Sequence, residues 1–423
     1  MNEISDAFNS SSTIPAPSAR LGWQDSPDRR GTLDIVWSCV FSILLCLWTM
    51  LHLNVPTEND TYITIFWRKM RWLILGILAP ELPMLFACGQ YASAKRSVED
   101  FRSLGYSEEQ WTLCHAFYAD SGGFKLQTED FQAFPITAKQ LHYLVNHRYV
   151  SLPAMSRDEI WDKSKADGVA KTMAFSQSGW LIAQTIGRGV QRLPITPFEI
   201  SSLALICSSM TTLWFWWHKP LDVRTATVLD TTASVVDILR EGGEAAKEPF
   251  LDTPLDFIEG RVYMSSKWSR HVLRWIRAVR LQKRPLDRIP NDRDPQANLR
   301  QHCLLGIGTA TFASVHLAGW PFEFATRWEQ ALWRGGCIGV WVLLCLYGST
   351  EMAVCYRENY EVPGLESGKG YKMRWPHCLL FFVPATLYFM ARVGLLVVTM
   401  SSLASLPEGA YQTVQWSDLL PHL

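Results

Sequence analysis

The sequence lacks a net charge and lacks the paired cysteines of a zinc site. Its 40 Lys and Arg balance 40 Asp and Glu, so the overall charge gives no reason to expect a nucleic-acid partner. None of the ten cysteines forms a C-x-x-C pair, and most stand in apolar segments, where Cys behaves as a small hydrophobe. We therefore expect no metal site and no nucleic acid among the partners.

Several catalytic motifs are also missing. The P-loop pattern G-x-x-x-x-G-K-[ST], the dinucleotide pattern G-x-G-x-x-G and the hydrolase pattern G-x-S-x-G do not occur. There is no aspartate-rich D-D-x-x-D run that could bind magnesium and a diphosphate. These absences argue against nucleotide chemistry and against ionisation of a prenyl diphosphate.

Charge is nearly absent from several stretches long enough to cross a bilayer, which takes about 20 apolar residues in a helix. Six stretches fit, and 172–187 is a weaker seventh because it contains Gln177 and Gln184. Tryptophan-rich boundaries such as 213–217 are typical of the membrane interface. The sequence therefore predicts an all-α polytopic membrane helical bundle of about seven transmembrane helices with a helical cytosolic layer; buried helices of a soluble protein are the alternative. The six stretches are 33–53, 72–92, 198–217, 303–320, 331–349 and 378–402.

The polar stretches between these spans can be sorted by side. With seven spans, the tail and the loops 93–171, 218–302 and 350–377 share one side and carry 32 of the 40 Lys and Arg, against seven on the other side. Basic residues favour the cytosolic side, so we expect a multi-pass protein of the endoplasmic reticulum with a cytosolic N-terminus. The predicted segments are 1–32 (disordered cytosolic tail), 33–92 (first two transmembrane helices), 93–171 (helical cytosolic loop), 172–217 (helices three and four), 218–302 (charged cytosolic loop), 303–402 (helices five to seven) and 403–423 (lumenal tail).

The loop 93–171 contains three capping-box patterns, in which a Ser or Thr precedes Glu or Gln by three residues and opens a helix. Gly122 and Gly123 are placed to end the first of these helices. We therefore expect a small folded helical layer, acting as a lid on the bundle or only as a structural cap. The pairs are Ser107 with Gln110, Thr137 with Gln140, and Ser156 with Glu159.

Residues 261–284 are basic, with eight Lys and Arg and no acid. Apolar residues from Trp268 to Val279 recur at helical spacing on one stripe. This pattern predicts a basic amphipathic helix that binds anionic lipid on the cytosolic leaflet. A calmodulin-type target or a merely solvated helix face is the alternative.

Ionisable residues inside the spans are costly, which makes them functional candidates. Glu81 lies between Pro80 and Pro83, where we expect the helix to break. A carboxylic acid shielded from water can stay protonated near neutral pH, as a general acid requires. Arg392 needs a partner, and one of the buried acids is the expected one. A buried ion pair of Glu81 with Arg392 that only holds helices together is the structural alternative.

Several short stretches spread over residues 20–423 are similar to stretches of a known protein family. Together they resemble a family of fungal multi-pass membrane proteins that includes the membrane-bound terpene cyclase of ascofuranone-type meroterpenoid biosynthesis. The stretches are 31–39, 51–56, 78–81, 115–119 with 122–124, 193–196, 216–222, and 410–416 with 421–422.

The resemblance implies a terpene cyclase of fungal secondary metabolism, an isomerase or lyase that opens an epoxide and closes a ring on a hydrophobic prenylated substrate without a cofactor. On this interpretation Glu81 is the acid and Asp34 a second carboxylate, while His115 and Asp120 are weaker candidates. Opening the ring needs a protonated carboxyl group in a dry pocket. The alternative is a non-enzymatic transporter or scaffold of the endomembrane system.

Overall fold

A computed structural model describes residues 19–26, 30–164, 167–261, 264, 284–295, 299–361 and 375–416, and most of these residues are helical. The helices are α1 Thr32–Met50, α2 Tyr62–Leu78, α3 Glu81–Ser103, α4 Leu113–Asp120, α5 Ala138–Asn146, α6 Arg157–Asp162, α7 Asp167–Val190, α8 Pro197–Phe215, α9 Val235–Glu241, α10 Leu299–Leu317, α11 Arg327–Glu361 and α12 Trp375–Ser401. The strands are β1 Arg20–Leu21, β2 Phe124–Gln127, β3 Phe134–Ile136, β4 Thr227–Asp230 and β5 Leu406–Pro407. Short 3₁₀ turns cover Gly243–Ala246, Pro254–Glu259, Ser402–Ala404 and Glu408–Tyr411.

Four helical segments are long and apolar enough to cross a membrane, and α2 with α3 is a fifth if that bent pair is one span. The prediction of a mainly helical chain is therefore confirmed, while the candidate spans are four or five by length and composition. The helices α7 and α10, which match the predicted spans 172–187 and 303–320, fall outside this set. The four segments are Thr32–Met50, Pro197–Phe215, Arg327–Thr350 and Phe382–Ala404.

The predicted span 72–92 is not one helix. It divides into the end of α2 and the beginning of α3, and the chain bends by 110° between them. Pro80 is the residue before α3, and proline has no N–H with which to continue the hydrogen bonds of α2. The sequence-based expectation of a break at this proline is therefore confirmed, and the break leaves Glu81 in the first turn of a new helix.

The bundle has two distinct ends. At one end β1 pairs antiparallel with β5, with Arg20 opposite Pro407, and the Tyr411 hydroxyl lies 3.4 Å from Thr32 at the beginning of α1. At the other end, beyond the last turn of α1, the Val55 N–H donates to the Ser121 carbonyl at 3.0 Å. The 19 residues of α1 separate these two ends by about 28 Å at 1.5 Å per residue.

This arrangement differs from the one that the sequence-based sorting of the loops predicts. Residues 19–26 lie beside 404–411 at one end of the bundle, whereas 104–164 lie at the other. A tail 1–32 on the same side as the loop 93–171, together with a tail 403–423 on the opposite side, is not compatible with the pairing of β1 with β5. The sorting counts the segment 72–92 as one straight crossing, whereas this segment belongs to the bent pair α2–α3.

Residues 104–164 and 219–261 form a polar layer across one end of the bundle, and this layer is not purely helical. It contains a three-stranded sheet of order β3-β2-β4, in which β2 pairs antiparallel with β3 and parallel with β4. The helices α4 to α6 pack beside the sheet around buried Phe117, Phe124 and Ile136. The prediction of a helical layer thus holds for α4 to α6 but missed the sheet.

Two of the three predicted capping boxes of this layer open helices, whereas the third forms its hydrogen bonds but opens no helix. Thr137 with Gln140 opens α5, and Ser156 with Glu159 opens α6. Ser107 and Gln110 exchange the expected hydrogen bonds in a turn, while Thr112 caps the helix that follows. Gly122 ends α4 with a positive φ of 83°, a conformation that favours glycine. The predicted basic helix 261–284 lies almost wholly outside the described residues.

Candidate functional site

Glu81 stands at the inner tip of the bent helix pair, within the bundle. The Ser208 hydroxyl of α8 donates to the Pro80 carbonyl at 3.2 Å, and this bond connects the break between α2 and α3 to α8. Further along α3, the Cys88 thiol contacts the Gln301 carbonyl of α10 at 3.3 Å. Glu81 is seven residues before Cys88, which places it about 10 Å along the helix from this contact.

One carboxylate oxygen of Glu81 has a defined partner. The Tyr388 hydroxyl of α12 donates to Oε2 of Glu81 at 2.6 Å. Because Oε2 accepts this bond, Oε1 is the oxygen left to carry a proton when the carboxyl group is neutral. The contact joins residues 307 positions apart in the chain, so the fold is needed to create it.

Arg392, one turn beyond Tyr388 on α12, is almost completely buried. Its guanidinium lies 3.2 Å from Nε2 of His316 and donates to the Ile77 carbonyl at 3.1 Å. Since guanidinium cannot accept a hydrogen bond, Nε2 of His316 must be the acceptor. Nδ1 of His316 then donates to the Phe312 carbonyl at 3.1 Å. The expected ion pair of Arg392 with an acid is not formed among the described residues.

Glu81 lines a cavity of about 530 Å³ between α3, α10 and α11. This volume is within the range of small-molecule sites, which are usually apolar with a few polar groups. The cavity fits that description, because most of its lining is aliphatic or aromatic and Glu81 is the one carboxylate among the described lining residues. These residues are Glu81, Leu82, Leu85, His302, Cys303, Leu305, Gly306, Thr309, Ala310, Ala313, Trp341, Leu344, Cys345, Tyr347, Gly348 and Ser349.

The structure does not bring the other predicted site residues to this cavity. Asp34 lies in the first turn of α1, where Oδ2 accepts from the Gly31 N–H at 2.8 Å and from the Ser26 hydroxyl at 2.7 Å. These two bonds close the beginning of the helix. Asp34 therefore caps α1 at the end of the bundle that holds the paired strands.

His115 and Asp120 both lie in the polar layer, on α4. His115 is buried between Thr112 and the Met155 carbonyl, which is 2.8 Å from its Nε2, and burial lowers the pKa of this histidine. Asp120 forms a buried ion pair with Arg293 at 2.6 Å and accepts from the Ala138 N–H at 3.0 Å. The contacts of both residues hold the layer together.

A second buried polar cluster surrounds Lys219, immediately after α8. The ammonium group donates to Asn54 at 2.8 Å and to Gln90 at 2.9 Å, and it lies 4.7 Å from the ring of Trp216. Burial lowers the pKa of Lys219 from 10.5 to about 7. The cluster joins α3 to the loop after α1, so it fixes the helix that carries Glu81.

Sequence-based reasoning missed Tyr388 and His316. The spacing of Tyr388 and Arg392 is a signal that was available, because residues four apart share one helix face. His316 lies in the last turn of α10, and nothing in the sequence relates it to α12.

The described residues do not meet the requirements of a metal site. Within the part of the chain that the structure describes, no three or more His, Cys, Asp or Glu side chains form a group that could hold a metal ion.

A family model described as a family of unknown function (DUF8562) matches residues 5–240 and 296–423. No curated protein and no solved structure matches the chain.

Proposed function

The chain belongs to this family of unknown function, and we propose that it is a cofactor-independent terpene cyclase of a membrane. In this proposal it opens an epoxide and closes a ring on a prenylated, meroterpenoid-type substrate. The observation that carries the proposal is the position of Glu81, the one carboxylate among the described residues lining an apolar cavity of about 530 Å³. The resemblance to fungal membrane-bound cyclases supports the choice of reaction.

The proposed membrane arrangement is a multi-pass bundle in the endoplasmic reticulum with six crossings, formed by α1, α7, α8, α10, α11 and α12. The pair α2–α3 then enters from the polar-layer side and returns to it. Six crossings bring both ends of the described chain to one side, in agreement with the pairing of β1 with β5. An odd number of crossings would separate them.

The proposed reaction begins with proton transfer from Oε1 of Glu81 to the epoxide oxygen. A carbon–oxygen bond of the epoxide breaks, and a tertiary cation forms while the oxygen becomes a hydroxyl group. Either a hydroxyl oxygen of the substrate attacks the cation, closes the ring and loses its proton, or a double bond attacks, closes the ring and leaves a new cation that loses a proton from an adjacent carbon. The proton released in that step returns to the Glu81 carboxylate, so the overall change is an isomerisation and no other reactant is required.

The cavity provides two further contributions to this reaction. Its mostly apolar lining is an unfavourable environment for water, which would otherwise capture the cation. The rings of Trp341 and Tyr347 lie in the lining, and an aromatic face stabilises a cation by about 0.5–2 kcal/mol. Tyr388 fixes the orientation of the carboxyl group through its bond to Oε2.

The test is expression in microsomes supplied with epoxidised prenyl phenols, comparing the wild type with Glu81→Gln. The amide keeps the size of the side chain but cannot transfer the proton, so cyclisation should fall to the level of empty microsomes. Glu99→Gln is the matched control, because Glu99 is an exposed residue of the same helix, and it should keep wild-type activity. Cyclisation by Glu81→Gln at the wild-type rate would refute the acid role.

A further inference from the structure

The cavity of Glu81 reaches the surface of the bundle between α10 and α11. Cys303 and Gly306 of α10, and Cys345 and Gly348 of α11, both line the cavity and are exposed. A Cβ atom added to Gly306 or to Gly348 would have no atom within 4 Å. The two glycines thus border an open passage, which we call the lateral mouth.

The residues that line the cavity extend along α10 from His302, near the polar layer, to Ala313, towards the middle of the bundle. His302 is in the first turn of α10, next to Gln301, whose carbonyl contacts Cys88. Glu81 is about 10 Å deeper along α3. Tyr347 and Ser349 also lie towards the end of the cavity where α11 runs to the layer. His302, Tyr347 and Ser349 therefore lie at the shallow end of the cavity, and the carboxyl group of Glu81 lies deeper.

The charge of the lining restricts the ligand. The described lining residues include no Lys or Arg. A diphosphate or carboxylate head would be transferred from water to this apolar lining without a counter-charge, which is unfavourable. A neutral head that can form hydrogen bonds, such as a phenol, avoids this cost and would lie beside the polar side chains of His302, Tyr347 and Ser349.

We propose that the cavity binds a neutral amphiphile, with a head that can form hydrogen bonds and a long apolar chain, which enters sideways through the lateral mouth. Its head stays at the His302 end and its chain terminus reaches Glu81; the assignment of the reacting end to Glu81 rests on the proposed function. In a bilayer such a molecule already has its head near the polar layer and its chain towards the midplane. It can therefore pass between α10 and α11 without reversing its orientation.

The experiment fills the lateral mouth and measures binding separately from turnover. Gly306→Leu and Gly348→Leu place an apolar side chain in open space, and leucine also favours a helix more than glycine. Gly335→Leu is the matched control, because Gly335 is exposed on α11 with nothing within 4 Å of an added Cβ and does not line the cavity. Correct folding of all three is checked by thermal midpoint in detergent.

Binding is measured in phosphatidylcholine vesicles by the labelling of Cys303 and Cys345 with a membrane-permeant maleimide, quantified on separate peptides by mass spectrometry. The probe is a farnesylated phenol without an epoxide, compared with farnesyl diphosphate. We expect the phenol to slow labelling of both cysteines about tenfold in the wild type and in Gly335→Leu, and to protect them at only about tenfold higher concentration in the two mouth variants. Farnesyl diphosphate should give no protection.

The outcomes separate the two proposals. Protection by the phenol without turnover of its epoxide would support the binding site and refute the cyclase. Turnover that is unchanged by Gly306→Leu and Gly348→Leu would overturn the lateral mouth while leaving the cyclase in place. Equal protection by farnesyl diphosphate would show that the cavity also accepts a charged head, which would overturn the proposal of a neutral ligand. Full protection by the vesicle phospholipid alone would mean that the mouth holds an ordinary lipid chain and would overturn the proposal.

Discussion

At the scale of single residues, Tyr388 determines how Glu81 is presented to the cavity. Its hydroxyl donates to Oε2 at 2.6 Å, and we expect Tyr388→Phe to lower kcat for cyclisation about tenfold, the usual cost of one hydrogen bond to a carboxyl group. KM should change less, because the ring of residue 388 is retained. Steady-state kinetics in microsomes measure both constants. Phe389→Leu, a change at the exposed neighbouring residue, is the control, and an equal loss in that variant would contradict the role of Tyr388.

Lys219 gives a prediction for how the stability of the folded protein depends on pH. Burial lowers its pKa in the folded protein to about 7 from an ordinary 10.5. Between these two values the unfolded chain binds more protons than the folded one, so the contribution of Lys219 to stability rises as pH rises from 7 to about 10. The thermal midpoint of the wild type should therefore increase relative to that of Lys219→Met between pH 7 and about 9.5.

The control for this titration is Lys95→Met, which removes an exposed lysine of α3. Its thermal midpoint should follow that of the wild type in parallel across the same pH range. If the difference between the wild type and Lys219→Met is also constant with pH, Lys219 titrates with an ordinary pKa and the buried cluster is less isolated from water than its contacts indicate.

The sequence indicated the importance of Glu81 but not its surroundings. Two flanking prolines and the lack of other charges in the segment 72–92 were enough to predict a broken helix with a carboxyl group at the break. Tyr388, His316 and the lining of the cavity come from α10 to α12, more than 200 residues further along the chain. Without the packing of these helices, nothing in the local pattern relates them to Glu81.

At the scale of elements, Asp34 tests the difference between a helix cap and a catalytic acid. It accepts from the Gly31 N–H at 2.8 Å in the first turn of α1. We expect Asp34→Ala to lower the free energy of unfolding by about 1 kcal/mol, as the loss of a cap does, and to leave kcat unchanged. Thermal midpoints and activity per folded molecule measure the two effects. Asp25→Ala, at an exposed site before the helix, should change neither, and a large loss of kcat in Asp34→Ala alone would restore the catalytic role.

The elements of the polar layer show what local patterns can predict. The boxes Thr137–Gln140 and Ser156–Glu159 were recognisable because a cap involves residues only three apart. The sheet was not recognisable, since its strands are three or four residues long and β4 pairs with β2 from about 100 residues away. Strands this short leave too few positions for an alternating pattern to be detected.

At the scale of the whole molecule, the charge asymmetry survives the correction of the loops. The proposed six crossings assign the segment 1–32 to the side away from the polar layer and the loop 54–71 to the side of that layer, and each of these segments carries three Lys or Arg. The side of the polar layer therefore still has 32 Lys and Arg, and the opposite side has seven. The predicted location of the chain ends changes, however. In the six-crossing arrangement, the basic side is opposite the end of the bundle where β1 pairs with β5. If the basic side lies in the cytosol, as the positive-inside rule favours, the proposed arrangement places the two terminal segments in the lumen.

This topology predicts the result of protease protection in sealed microsomes. Epitope tags before residue 1 and after residue 423 should both be protected, whereas a tag inserted after Gly243, in the polar layer, should be digested. A glycan on Asn9, which stands in an Asn-Ser-Ser acceptor pattern, should accompany the protected N-terminus. Digestion of one terminal tag but not of the other would contradict the six crossings and the pairing of β1 with β5. Digestion of both, with protection of the inserted tag, would keep the fold and reverse its orientation in the membrane, which would mean that the long loops do not follow the positive-inside rule.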